Sequence, residues 1–369
     1  MNSEGTRASL YLRAIMKIRH IIAGLCTVAA TSTASAVASQ TGPNPYRAVQ
    51  WGTLPQGRTW GPTSAIQVDR DGRHVWVFDR CGSPHTANDC IGRDEVDPIM
   101  KFDADGNLVK SFGRGMFVFP HGIHLDRAGN VWVADAASAE DAPAGKGQQI
   151  FKFSPDGELL MTLGTAGVAG NGPNQFNRPT DVVVASNGDI FVSDGHDDNG
   201  TGNDRIVKFS SDGRYIKEWG GSGSARGQFF GPHTIAIDSQ DRIFVGDRGN
   251  NRIQIFDQEG ELLSVWTQFG KPSGIFIDSN DKIYVADSES ATEHRHPNPG
   301  WERGIRVGDA RTGWVEDFIL WEDSTEDPTR AGPGPDGSGA EDVTADAAGN
   351  LYLGIVRTPR VQKYVRIRP

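Results

Sequence analysis

One short pattern recurs along the chain and limits the fold more than any other feature. The segments "PHGIHLDRAGNVWVADA" from 120, "PTDVVVASNGDIFVSDG" from 179, "PHTIAIDSQDRIFVGDR" from 232 and "PSGIFIDSNDKIYVADS" from 272 align closely. Two divergent copies flank them, "PTSAIQVDRDGRHVWVFDR" from 62 and "AEDVTADAAGNLYLGIV" from 340. Each reads as an apolar strand, an Asx/Gly turn and a second apolar strand, and most run on into further strands such as "QQIFKFSPDGELLMTLG" and "DRIVKFSSDGRYIKEWG". One small antiparallel sheet cannot bury both its faces; six arranged around an axis can. The expected fold is therefore all-β, a six-bladed β-propeller. The 46 Gly and 20 Pro among 369 residues suit that many turns.

The final copy supplies "LYLGIV" and "RVQKYVRI" but no fourth strand, whereas "YRAVQWG" at 46–52 resembles the fourth-strand pattern "YIKEWG". That segment is expected to complete the last blade, so that the ring keeps no open edge. The propeller proper is then residues 60–369, preceded by a segment, 37–59, that carries the closing strand. Insertions interrupt the regular spacing: "CGSPHTANDC", "SAEDAPAGKGQ", "GHDDNGTGND", "SESATEHRHPNPGW" and "EDSTEDPTRAGPGPDGSG". All but the last follow a blade's second strand, and loops gathered on one face of a rigid ring commonly build a binding site.

The N-terminus reads separately. "MKIRH" is a basic region, "IIAGLCTVAA" an apolar run too short to span a bilayer, and "TSTASA" a small-residue cleavage zone ending at Ala36. Residues 1–36 are thus expected to be a signal peptide, with Met16 a candidate true start. Cys26 follows Leu25 rather than a small residue, which argues against a lipid anchor. Export to the periplasm or outside the cell would leave Cys81 and Cys90 as the mature protein's two cysteines, and they are expected to form a disulfide. The net charge of −10 becomes about −13 once the signal's excess of basic residues is gone, which makes nucleic acid an improbable partner. A monomer with no membrane anchor after cleavage is expected.

The residue after the repeated proline occupies one structural position at the entry to the innermost strand. Around the ring it reads Thr63, His121, Thr180, His233, Ser273 and Glu341. Alternate blades present His, His and Glu, so His121, His233 and Glu341 can converge on the axis as two imidazoles and a carboxylate, a donor set suited to zinc with an open fourth position. A second ring position follows the aspartate that ends strand two, and there Arg80 and Arg248 are placed to bind a carboxylate or a developing oxyanion. Asp79, Asp135, Asp194, Asp247 and Asp287 recur in every kind of blade and are assigned to turns. His196 lies just beyond strand two of blade three and is a candidate general base. His124 points to the other strand face from His121 and is read as packed or hydrogen-bonded. Asp197, Asn199, Thr201 and Gly202 form a partial calcium-loop spacing without its closing glutamate, and His294 and His296 are read as a solvated loop.

With these residues in hand, the chain resembles the NHL-repeat propellers and, among them, the peptidyl-α-hydroxyglycine α-amidating lyases. The resemblance covers roughly residues 60–365 and rests on "VFDRCG" at 77–82, "FPHGIHLDRAGNVWVADA", "PTDVVVASNGDIFVSDGHDD", "GQFFGPHTIAIDSQDRIFVGDRGNNRIQIF" and "EDVTADAAGNLYLGI". It implies cleavage of a peptidyl-α-hydroxyglycine to a peptide amide and glyoxylate. In that family a zinc held by three histidines, a structural calcium, and arginine and tyrosine side chains serve the reaction. Carried over, His121 and His233 match two zinc histidines, Arg80 and Arg248 the arginines, and Asp342 the aspartate on calcium. Glu341 stands where the family has its third histidine, and His196 at or near its tyrosine. Two other readings stay open: a propeller hydrolase or lactonase acting on a small metabolite, and a non-catalytic propeller that binds a protein or glycan.

Overall fold

Among the described residues of the structure, a computed structural model, twenty-four strands form six four-stranded antiparallel sheets. The structure describes residues 45–83, 90–138, 145–196, 201–290, 298–320 and 339–367. The expected signal peptide, Asp197, Asn199, His294 and His296 lie outside them. Blade one has strands Thr63–Val68, Val75–Asp79, Ile99–Phe102 and Leu108–Phe112, and blades two to five begin at Pro120, Pro179, Pro232 and Pro272. First strands of neighbouring blades lie side by side all the way round, and the sixth blade meets the first. The chain is all-β and six-bladed, and among the described residues no helix is long and apolar enough to cross a membrane.

The last blade contains Ala340–Ala345, Leu351–Ile355 and Arg360–Arg366, and its fourth strand is Tyr46–Val49, paired antiparallel with Lys363–Arg366. Just after that strand, Trp51 packs against Phe102 of blade one and Tyr352 of blade six, with ring centroids 5.4 and 4.9 Å apart, and donates its indole N–H to Ala104 O at 3.1 Å. One end of the chain thus covers the seam between the first and last blades.

Between blades the core is built from facing sheet surfaces. Trp132, Ala134 and Ile150 of blade two pack on Val182, Val192, Val207 and Phe209 of blade three, all buried. The same alternation of inward apolar residues fills the next interface with Phe191, Ile206, Ile235 and Val245. Each fully buried side chain of this size contributes about 1.5–3 kcal/mol.

The repeated aspartates have a wider task than closing their own turns. Asp79 accepts the Gly61 N–H at 2.7 Å, Asp135 those of Val118 and Phe119 at 3.0 and 2.6 Å, Asp194 that of Asn177 at 2.7 Å, and Asp247 that of Phe230 at 2.8 Å. Each carboxylate therefore fixes the segment that leads into its blade's inner strand. Burial pushes Asp79, Asp194 and Asp247 up to about 6.

Candidate metal centre at the channel mouth

Every inner strand starts with a bulge. Pro120, Pro179, Pro232 and Pro272 pair with the aspartates ending their second strands, after which the register slips. A bulge leaves one residue out of the ladder and re-aims it. That residue is His121, Thr180, His233 or Ser273, and by the same register Glu341 in blade six. Blade one corrects the sequence reading. There Thr63, not Pro62, pairs with Asp79, so Ser64 holds the ring position. The cause is one extra residue between Pro62 and its turn aspartate Asp69, compared with Pro120 and Asp126. Ser64 Oγ accordingly donates to Pro120 O at 2.8 Å, the bond that Thr180 Oγ1 makes to Pro232 O at 2.9 Å.

His121, His233 and Glu341 are all buried, and His233 touches both of the others. His121 Nδ1 lies 2.8 Å from Thr180 O and His233 Nδ1 lies 2.6 Å from Ser273 O. A carbonyl only accepts, so both Nδ1 atoms carry protons and both Nε2 atoms face inward. The two Nε2 atoms are 3.2 Å apart, and Glu341 Oε1 is 3.1 Å from His233 Nε2. Unprotonated Nε2 atoms and a carboxylate oxygen all accept, so each of these close pairs needs a cation between its members, a proton or a metal ion. Zinc bonds of about 2.0–2.1 Å in tetrahedral geometry set ligand atoms about 3.3 Å apart, close to both spacings.

For His121, burial first, then His233 and Arg80, drive the pKa well below its ordinary value. Burial opposes the charge of Glu341, but the positive charges of a protonated His233 and of Arg248 outweigh it and keep the carboxylate ionised. Ser288 Oγ reaches Glu341 Oε2 at 3.4 Å and Ser273 Oγ at 2.6 Å, an outer layer that orients the carboxylate.

Both expected arginines stand at this mouth. Arg80 donates Nε–H to Pro120 O at 3.0 Å, and its guanidinium lies over the Phe119 ring at 3.7 Å, which fixes its plane. Cys81 follows it directly and is bridged to Cys90. Arg248 Nη1 is 3.5 Å from both Glu341 Oε1 and Glu289 Oε1. His196 joins the cluster, its ring centroid 4.6 Å from His121 and 5.2 Å from His233. One ligand atom from each of these three histidines lies within 4.8 Å of the others.

Sequence reasoning missed four neighbours. Arg178 Nη2 lies 3.1 Å from His196 Nδ1. Lys271 Nζ forms an ion pair with Glu289 Oε2 at 2.9 Å, off the direction of a hydrogen bond. Phe119 carries Arg80. Phe119, Arg178 and Lys271 share the position just before a blade's proline, which is Gly61 or Gly231 elsewhere, and reading that position around the ring would have found them.

Further along the channel, Asp342 accepts backbone N–H groups from Ile66 at 2.9 Å and Val343 at 2.8 Å, and Asp181 those of Ile235 at 3.1 Å and Val182 at 2.8 Å. Burial pushes Asp181 up to about 7; burial, then Asp181 and Glu341, push Asp342 well above the carboxylate range. No cation is among the influences on either, so a bound cation would relieve both. A cavity of 730 Å³ fills the far half of the channel and is lined in part by these aspartates and His124. His124 is half-buried, accepts the Val184 N–H at 3.3 Å and is pushed down to about 3 by desolvation and by Arg70, matching its reading as a packed, hydrogen-bonded residue.

The profile of the NHL repeat matches residues 176–209 and 229–256, which span blades three and four. Blades three and four carry NHL repeats. Relatives of the chain include peptidyl-glycine alpha-amidating monooxygenase B of Xenopus laevis, 31% identical over 84% of this chain and 33% of that one. Another is the probable peptidyl-alpha-hydroxyglycine alpha-amidating lyase of Caenorhabditis elegans, 30% identical over 53% of this chain and 55% of that one. The chain spans one third to just over half of the length of these curated relatives. Among solved structures, a gluconolactonase of Xanthomonas campestris superposes with a TM-score of 0.51 at 15% identity, covering 84% of this chain and 86% of that one, a likeness of fold alone.

Proposed function

We propose that the protein is an exported, metal-dependent carbon–nitrogen lyase that acts on a small or peptidyl α-hydroxyglycine-like substrate and releases an amide and glyoxylate. The observation that carries this reading is that His233 Nε2 lies 3.2 Å from His121 Nε2 and 3.1 Å from Glu341 Oε1, with both Nδ1 protons already committed to carbonyls. Its second support is likeness to chains named amidating lyase and amidating monooxygenase.

His121, His233 and Glu341 would hold zinc, and Asp342, whose pKa the charge of Asp181 also raises, would hold calcium. Bound zinc supplies a Lewis acid that polarises a hydroxyl oxygen. Arg80, already fixed in plane by Phe119 and Pro120 O, pairs with the carboxylate that becomes glyoxylate. Arg248 sits between Glu341 and Glu289 and balances their charge. The bridge at Cys81 suits an oxidising compartment, as export requires. The proton-handling role expected of His196 depends on which of its ring nitrogens is free, and Arg178 decides that. The test is glyoxylate release from α-hydroxyglycine peptides by zinc-loaded protein: release that disappears with a chelator and returns with zinc supports the lyase, and a zinc-loaded protein without release contradicts it.

A further inference from the structure

The three clustered histidines are not held alike. His121 and His233 give their Nδ1 protons to carbonyls. His196 Nδ1 instead faces Arg178 Nη2 at 3.1 Å. A guanidinium has donors and no acceptor, so the only stable partner for it there is an unprotonated Nδ1. A doubly protonated His196 would set N–H against N–H. The neutral ring then carries its proton on Nε2, the opposite arrangement from its two neighbours.

The backbone supports the same pairing. Arg178 adopts φ +66°, a left-handed conformation uncommon for a residue with a side chain, so the surroundings must enforce it. Its N–H donates to Gln148 Oε1 at 2.7 Å, and its carbonyl accepts from both Gly195 N at 3.1 Å and His196 N at 3.0 Å. Residue 178 thus grips His196 by main chain and by side chain.

We propose that Arg178 is a positioning residue that locks His196 in the Nε2–H tautomer, so that this histidine meets the substrate as a hydrogen-bond donor rather than as a base or a third imidazole ligand. The acceptor it suits is a carboxylate, carbonyl or hydroxyl oxygen, in keeping with a mouth where, among the described residues, Arg80, Arg178, Arg248 and Lys271 stand beside Glu289 and Glu341. The choice of substrate rests on the lyase reading; the tautomer does not.

The experiment is ¹H–¹⁵N multiple-bond NMR of histidine-labelled mature protein, with and without zinc, His196→Gln assigning the signal. The expected result is an Nε2–H pattern for His196 and Nδ1–H patterns for His121 and His233, unchanged at His196 when zinc is added. Arg178→Lys, which keeps a donor, preserves the His196 pattern, and Arg178→Met moves it to Nδ1–H or to an average of the two. An Nδ1–H, doubly protonated or zinc-bound His196 in the wild type overturns the proposal, as does an unchanged pattern in Arg178→Met. Should the Met variant not fold, the wild-type spectrum still decides. The expected pattern in a protein that releases no glyoxylate would sink the lyase reading and leave this one standing.

Discussion

His121 Nε2 and His233 Nε2 face each other across 3.2 Å, although the two residues begin strands in blades two and four and lie 112 positions apart. Each ring is turned to that point by a proton given to the next blade's backbone, and the blade between them offers only Thr180. The arrangement is a product of ring geometry: a bulge at the same place in every blade aims one residue at the axis, and alternate blades converge.

Arg80→Ala is expected to lower kcat/KM for glyoxylate release roughly 10- to 100-fold, the loss of one charge-assisted carboxylate contact. Thermal unfolding should stay cooperative and zinc content unchanged, because Arg80 is not a ligand. Steady-state kinetics beside a melting curve checks this, and wild-type activity in the variant contradicts the assignment.

Opening the Cys81–Cys90 bridge, which closes a short loop nine residues apart, should cost about 2–3 kcal/mol by loop-closure entropy. Because Cys81 follows Arg80, activity should fall in Cys81→Ser/Cys90→Ser below what the stability loss explains at a temperature where the variant is folded. Activity equal to wild type under those conditions would show that the bridge does not position Arg80.

Gly274→Ala should disturb two strands at once. A Cβ there would sit 2.5 Å from Asp342 Oδ1 and 2.8 Å from Glu341 O, closer than real contacts allow. The expected cost is about 1–3 kcal/mol, with weaker zinc retention because Glu341 must shift. Chemical denaturation and metal analysis read both effects; an unchanged melting temperature contradicts the packing.

Acid stability should carry the mark of His124. Its folded pKa, pushed down to about 3, lies below the ordinary value of 6.5, so the unfolded chain binds a proton that the folded one refuses. Its share of stability is therefore complete above about pH 6.5 and lost as pH falls toward 3, by at most about 1.4 kcal/mol per pH unit. His124→Gln can still accept the Val184 N–H and does not titrate, so its urea midpoint should fall less between pH 6.5 and 4.5. Parallel profiles for variant and wild type would contradict this.

The fold was legible because each copy repeats the same strand and turn grammar, and the alternation of His121, His233 and Glu341 followed from it. Counting forward from proline failed only in blade one, where an extra residue moves Ser64 into place. Arg178 and Lys271 stayed hidden because the position before the proline looks like linker in other blades. The state of the histidines was out of reach of sequence altogether: three identical residue types in one cluster differ by whether a carbonyl or a guanidinium stands behind each ring.

The most direct test is the metal content of the purified mature protein by mass spectrometry, beside a His121→Ala/Glu341→Ala double variant. The account predicts about one tightly held zinc per chain in the wild type, lost in the folded variant. A wild-type protein that takes up no metal after incubation with zinc, or a double variant that holds as much as the wild type, would contradict it.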